Sequence, residues 1–313
     1  MFAITAARSS CDDPLSALEA GERPDPEPRE GWAVVDVKAA SLNHHDLWSL
    51  RGVGLPADRL PMILGCDAAG TDEDGNEVIV HGVVEDGAGR PTILSEKYDG
   101  TFAERLLVPR ANLLPKPPEL SFEEASCLPT AWLTAYSMLF GKAGLLPGST
   151  VLVQGAGGGV SVALIELAVR AGHRVYVTSR DEGKRKKALE LGAYAAVPTG
   201  ERLPERVDAV FESVGQATWA HSVRSLKPGG AVIICGATSG DAPPAELTRV
   251  FFLQLKVIGS TMGTRDELAG LIEMCARTGL RPVIDRVLPL DRAAEGFRAM
   301  ADGGLFGKVV FTP

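Results

Sequence analysis

Apolar and polar positions divide the chain into two textures. Up to about residue 120 short apolar runs alternate with turn residues: Pro24, Pro26 and Pro28 precede Trp32-Ala-Val-Val-Asp-Val-Lys38, and Gly75-Asn76 precedes Val78-Ile-Val80. This punctuation predicts antiparallel strands joined by turns and irregular loops. From Ser121 the pattern lengthens into helices, beginning with Ser121-Phe-Glu-Glu124, a capping box in which serine and glutamate each satisfy the other's free backbone N–H. From Thr150 strand-like and helix-like segments alternate: Val151–Gln154, a helix over about 158–171, Arg174–Thr178, then a helix over 182–191. Further strands are predicted at 194–197, 208–211, 231–235 and 256–260, and six such strands complete a doubly wound parallel sheet. After Thr264 the pattern predicts a helix, a strand over 283–288, a second helix and a closing strand over 307–311. A filled six-strand sheet has no place for these, so they are expected to return to the first domain.

Composition narrows the partners. A chain of 313 residues, 45% apolar and 23% charged, is long enough for two cores. A formal net charge of -8 argues against general binding to nucleic acid or anionic membrane, which basic surface would mediate. The five cysteines, at 11, 66, 127, 235 and 275, are odd in number and show no two-residue spacing, which fits a reducing compartment. The first residues turn charged and proline-rich too soon for a signal peptide, and no apolar run has the length of a membrane span, so a cytoplasmic protein is expected.

The densest chemical signal is Gly155-Ala156-Gly157-Gly158-Gly159-Val160, between a predicted strand and a predicted helix. Without side chains, the backbone amides of such a turn can approach a pyrophosphate, and the helix N-terminus adds partial positive charge. Val160 stands where the strict fingerprint has glycine, and the bland alternative is a tight turn with no ligand. At the end of the next strand an NAD-specific site would place an acid against the ribose; here the chain reads Thr178, Ser179, Arg180, with Lys184 beyond. Hydroxyl donors and cations suit a 2'-phosphate, so NADPH is expected, although Asp181 points the other way and most of 183–187 reads as a solvated helix face.

At this point the chain resembles the medium-chain dehydrogenase/reductase superfamily and its zinc-independent, quinone-oxidoreductase-like branch. The resemblance rests on the order of Ala40-Ser-Leu-Asn-His-His-Asp46, Ile63-Leu-Gly-Cys-Asp-Ala-Ala-Gly70, Gly100-Thr-Phe-Ala-Glu104, the glycine loop, Phe211-Glu-Ser-Val-Gly215, Leu226-Lys-Pro-Gly-Gly230 and Phe306-Gly-Lys308. It implies an α/β fold in which a Rossmann doubly wound parallel sheet, residues 131–264, is inserted into a GroES-like, mostly-β catalytic domain of residues 1–130 plus 265–313, with nicotinamide and substrate in a cleft between them. It further implies that Thr134 approaches the nicotinamide, that Val214, Gly215, Cys235, Gly236, Phe251 and Phe252 line the cofactor groove with Lys308 near it, and that the protein is a homodimer through sheet edges.

The same superfamily contains zinc alcohol dehydrogenases. Where they carry a catalytic cysteine this chain has Asn43; their Gly-His-Glu is Gly65-Cys66-Asp67, and their third ligand falls on Thr130. Zinc needs several converging nitrogen, sulfur or carboxylate donors, and the cysteine-rich lobe is absent from 86–98, so no metal is expected. Without a Lewis acid, hydride addition to an already polarised quinone or enone is the chemistry that remains. Asn43, His45 and Asp46 are the catalytic candidates, from one loop with His44; Asp46 could instead bond Arg51 or loop amides, and either histidine could donate a proton near neutral pH. Trp48, Cys66 and Asp67 are the substrate-contact candidates, with core packing the bland reading of Trp48 and Cys66. Gly54 stands where enoyl-thioester reductases carry a tyrosine, which weighs against that substrate class. Three readings follow: a NADPH-dependent reductase of small electrophiles, a zinc alcohol dehydrogenase, and a non-catalytic nucleotide-binding protein.

Overall fold

Half-buried alternation sets the first strands. In the computed structural model, which describes residues 1–85, 87 and 91–313, β1 (Phe2–Ala6) and β2 (Leu18–Glu22) form an antiparallel pair. The 86–98 segment of the expected missing lobe falls outside the described residues at 86 and 88–90. β3 (Trp32–Ser41) buries Ala33, Val35 and Val37 while Asp36 and Lys38 face solvent, the period of a strand with one wet face. α1 (His44–Leu50) leaves its end. Then β4 (Met62–Ile63) joins β1, β5 (Ala68–Asp72) joins β3, and β6 (Glu77–Val80) joins β5. β7 (Val83–Val84) and β8 (Thr92–Ile93) make a small ribbon, β9 (Arg105–Pro109) pairs with β3, and β10 (Leu113–Pro115) with β6. α2 (Phe122–Ser126) starts on the expected capping box, with Glu124 N–H donating to Ser121 Oγ at 3.2 Å and Ser121 N–H to Glu124 Oε2 at 2.9 Å.

Next, α3 (Leu133–Tyr136) precedes the doubly wound region. Its elements are β11 (Thr150–Val153), α4 (Gly159–Arg170), β12 (Arg174–Thr178), α5 (Glu182–Glu190), β13 (Ala195–Val197), β14 (Val207–Glu212), α6 (Gln216–Ser225), β15 (Leu226–Ile234), α7 (Leu247–Phe252) and β16 (Lys256–Gly259). The six strands are all parallel in the order β13-β12-β11-β14-β15-β16. β11 is buried at every position, the continuous apolar run of a strand covered on both faces. Strand order reverses between β11 and β14, and the loops beyond their carboxyl ends flank the crevice where such sheets take ligands.

The chain then closes with α8 (Arg265–Thr278), β17 (Ile284–Pro289), α9 (Ala293–Ala301) and β18 (Lys308–Thr312). β18 pairs antiparallel with β3, matching Val310 to Ser41, and parallel with β17, giving the sheet order β10-β6-β5-β3-β18-β17. Buried Phe102, Phe297 and Phe311 pack there, Phe102 edge-on to Phe311 at 5.1 Å between centroids. Truncating one such ring to alanine typically costs about 3–5 kcal/mol. The backbone forms two compact units, Met1–Thr130 with Thr264–Pro313, and Ala131–Gly263. Among the described residues no helix is long and apolar enough to cross a membrane.

Candidate functional site

In the first unit, the end of β3, the start of α1, the segment after β4 and the start of β18 meet around one buried carboxylate. Asp67 Oδ2 accepts hydrogen bonds from Ser41 Oγ at 2.8 Å and Asn43 Nδ2 at 2.7 Å, and lies 3.4 Å from the Lys308 ammonium. Lys308 Nζ also donates to Asn43 Oδ1 at 2.6 Å and to the Leu42 carbonyl at 2.8 Å. Asn43 Nδ2 reaches the Ser41 carbonyl at 3.2 Å and approaches Cys66 Sγ at 3.6 Å, and that sulfur lies 3.4 Å from Thr130 Oγ1. Asp67 and Cys66 have no exposed surface, Lys308 has 2%, and Asp67 Oδ1 is buried with no hydrogen-bond partner. Gly65 makes the approach of the segment feasible: at φ +95°, a side chain there would collide with Thr101 and Phe102.

The three positions that the resemblance matched to metal ligands, 43, 66 and 130, therefore do come together. Several assigned roles change. The catalytic candidates lie on a helix start rather than a loop, because the Asp46 carboxylate accepts the free Asn43 N–H at 2.8 Å and so opens α1. Its other oxygen accepts Gly65 N–H at 3.1 Å, so fully buried Asp46 ties two backbone segments together and has no surface for catalysis; it bonds loop amides, not Arg51. Burial pushes its carboxyl up to about 7, the Asp67 charge adding and the amides and Lys308 opposing.

His45 is half-buried with Nε2 3.3 Å from Ser95 Oγ, and burial, opposed by Asp67, pushes it down to about 4. It is neutral at pH 7, so the expected imidazolium donor is absent at that position. Burial and then the Asp67 and Asp46 charges raise the Cys66 thiol well above its ordinary value, which makes it no nucleophile. Cys66 and Asp67, the substrate-contact candidates, have no exposed surface. Trp48 is half-buried with the Arg51 guanidinium 5.0 Å above its ring. Lys308, expected near the cofactor groove, is buried with its ammonium held inside the Asn43–Asp67 cluster. Thr130, noted only as a vacated ligand position, is the half-exposed hydroxyl of the cluster, a signal that spacing gave without its chemistry.

These residues do not suit zinc. Among the described residues no three His, Cys, Asp or Glu side chains converge. At positions 43, 66 and 130 the donors are an amide whose oxygen already accepts from an ammonium, a single thiol, and an alcohol.

In the second unit the glycine loop joins β11 to α4. Gly155 takes φ +75° and Gly157 φ +116°, and Gly158 is the extended N-cap of α4. A side chain on Gly155 would meet Val214 Cγ2 at 2.8 Å, so the loop lies directly against the turn after β14. Gly236 in turn packs on the Ser213 carbonyl, and Cys235 N–H bonds the Glu212 carbonyl at 3.0 Å. Gly155 to Val160, Val214, Cys235 and Gly236 thus line one end of the sheet. Burial and the Glu212 charge push the Cys235 thiol up to about 12, so it contributes surface rather than reactivity.

Phe251 is on α7, 68% exposed, with its ring 6.4 Å from that of Phe252, and Thr134 is buried on α3. At the end of β12, Ser179 is buried and Arg180 exposed. Asp181 turns to cap α5, accepting Lys184 N–H at 2.8 Å, which directs its charge toward its own helix. Arg185, read from sequence as part of a solvated face, folds back so that Nη1 donates to the Ser179 carbonyl at 2.8 Å.

Such a crevice fits a dinucleotide: Thr178 holds the Gly155 and Ala156 amides, the chain turns at two glycines with positive φ, and the N-terminus of twelve-residue α4 follows them. When bound, a nicotinamide dinucleotide supplies or accepts hydride.

Comparison with known proteins agrees with both units. The alcohol dehydrogenase GroES-like domain matches residues 29–118, and the zinc-binding dehydrogenase domain matches 159–277. The chain is 31% identical to the 2-methylene-furan-3-one reductase of Solanum lycopersicum, over 92% of this chain and 73% of that protein. It is 29% identical to the acryloyl-coenzyme A reductase of Metallosphaera sedula, over 94% and 96%. A solved structure of an NAD-dependent alcohol dehydrogenase superposes with TM-score 0.91 at 34% identity, covering both chains completely. Fold, motif order and whole-length likeness converge on one conclusion: this chain belongs to the medium-chain dehydrogenase/reductase superfamily, in its quinone-oxidoreductase-like branch.

Proposed function

We propose that this oxidoreductase works without metal and uses NADPH to deliver hydride to a small α,β-unsaturated carbonyl compound or a quinone. The observation that carries the reading is the cluster at positions 43, 66 and 130, where an amide, a protonated thiol and a hydroxyl are backed by the buried Lys308–Asp67 pair. Hydride addition to an enone carbon pushes an electron pair onto the carbonyl oxygen, and a proton from water then completes the product. What the site must supply is a donor to that oxygen, worth more in a water-poor pocket. Thr130 Oγ1–H is the half-buried donor, and the Lys308–Asp67 pair fixes Asn43 beside it.

Exposed Arg180, the Ser179 hydroxyl and Lys184, joined by Arg185, suit a 2'-phosphate, while Asp181 is engaged by its helix. Two relatives named as reductases of an enone and of an acryloyl thioester support the substrate class. We further propose a homodimer paired through β16, which ends its sheet with Val257 51% exposed, in the cytoplasm, where all five cysteines stay free as they are here.

The test records absorbance at the reduced-nicotinamide band for chelator-treated protein with NADPH or NADH against quinones, enones and simple alcohols. The reading expects NADPH consumption with quinones or enones, unaffected by chelator, and a Thr130→Val variant about tenfold lower in kcat/KM with unchanged NADPH binding. The likeness to an NAD-dependent alcohol dehydrogenase favours a second reading, alcohol oxidation. Turnover confined to alcohols and abolished by chelator would establish it and overturn ours; tight NADPH binding with no turnover would make the protein a nucleotide-binding module.

A further inference from the structure

Beneath the glycine loop lies a set of buried polar side chains that the proposed reaction does not use. Gln154, the residue before Gly155, has no exposed surface and all of its amide hydrogens are engaged. Its Oε1 accepts from Thr178 Oγ1 at 2.5 Å, and Thr178 Oγ1 itself accepts Gly155 N–H at 3.3 Å. Its Nε2 donates to Ser222 Oγ and to His221 Nδ1, both at 2.9 Å. His221 Nε2–H donates to the Glu201 carbonyl at 2.8 Å, which leaves Nδ1 as the acceptor Gln154 needs.

Ser222 passes its hydrogen to Glu212 Oε2 at 2.6 Å, where Thr218 Oγ1 also donates at 2.8 Å. The other oxygen, Oε1, accepts the N–H groups of Val214 at 2.8 Å and Gly215 at 3.1 Å. Every donor and acceptor in this run has one role, set by its neighbour. The run begins at the amide of the glycine loop and ends at the amides of the turn after β14. Those two segments also touch directly, Gly155 against Val214.

We propose that Gln154 is a cofactor-positioning residue, which through Thr178 and Ser222 locks the glycine loop to the Val214–Gly215 turn so that a dinucleotide meets the two as one preformed surface. Side-chain chemistry singles out glutamine. Leucine would strand Thr178, Ser222 and His221 without their partner, and glutamate would present an acceptor where two donors are required. A preformed surface spares the ordering cost of binding, so slackening the lock weakens cofactor affinity without removing any atom that touches cofactor. The inference rests on the reading of this crevice as a dinucleotide site.

The experiment measures NADPH dissociation constants by calorimetry for the full-length protein and its Thr178→Val, Ser222→Ala and doubly substituted forms, with urea unfolding of each alongside. Each single substitution is expected to raise the constant about tenfold, and the double form no further than the weaker single, because both cut the same run. The hydroxyl-retaining Thr178→Ser and Ser222→Thr forms should bind like the wild type. Fold-changes that multiply in the double form overturn the lock, as does lowered stability with unchanged NADPH affinity, or equal loss in the hydroxyl-retaining forms. Wild-type protein that binds neither NADPH nor NADH overturns the dinucleotide reading itself, and the lock with it.

Discussion

Lys308 shows how a residue's role follows from where the chain returns it. Its ammonium balances a carboxylate with no exposed surface, and removing one partner of a buried pair strands the other. Lys308→Met should therefore lower unfolding free energy by about 3–5 kcal/mol in urea titration, and adding Asp67→Asn should recover a large part of it. Equal stability of the single and double variants would show that the pair is not coupled. Arg180 is the converse case, exposed at the end of β12. Arg180→Ala should reduce kcat/KM for NADPH roughly tenfold and leave that for NADH unchanged, since one charge-assisted bond to a 2'-phosphate is at stake. An equal drop for both cofactors would remove Arg180 from that role. Asn43 and Cys66 were legible as positions through the family resemblance and Thr130 by spacing back from Gly148; the partners of Lys308 were not, because they lie 265 and 241 residues away and strand pairing alone unites them.

At the scale of elements, α1 carries two groups whose titrations oppose one another. Asp46 is raised to about 7 in the folded protein, so between about pH 4 and 7 the native state holds a proton that the unfolded chain has lost, and stability falls as pH rises. His45, lowered to about 4, does the reverse: between about pH 6.5 and 4 the unfolded chain gains a proton the native state refuses, and stability falls as pH falls. Both add to the wild-type slope beside Glu166, which burial also raises to about 7. Relative to wild type, Asp46→Asn should thus shift the slope of stability with pH upward and His45→Gln should shift it downward, as read from urea midpoints at successive pH values. Slopes unchanged from wild type would show that neither group titrates as its burial implies. The start of α1 escaped the sequence reading because Asp46, whose carboxylate takes the N–H of the N-cap residue Asn43, also looked like a loop acid; only its two backbone partners distinguish these.

For the whole molecule, β16 ends its sheet with an unpaired edge and exposed Val257. Sedimentation equilibrium should give a dimer, and Val257→Lys should shift it to monomer, because charge on an edge strand opposes pairing. A wild-type monomer would refute the edge-paired assembly. The sequence by itself determined the doubly wound sheet, the glycine loop and the segment order, since apolar period, turn residues and capping pairs are local and each element carries its own signal. Tertiary structure alone decided which side chains are spent and which are free: Lys308 inside the Asn43–Asp67 cluster, Asp46 on two backbone amides, Asp181 on its helix, Gln154 between two loops. The physical reason is that burial and hydrogen-bond satisfaction depend on neighbours brought together by packing, and a buried polar atom takes its role from those neighbours rather than from its place in the chain.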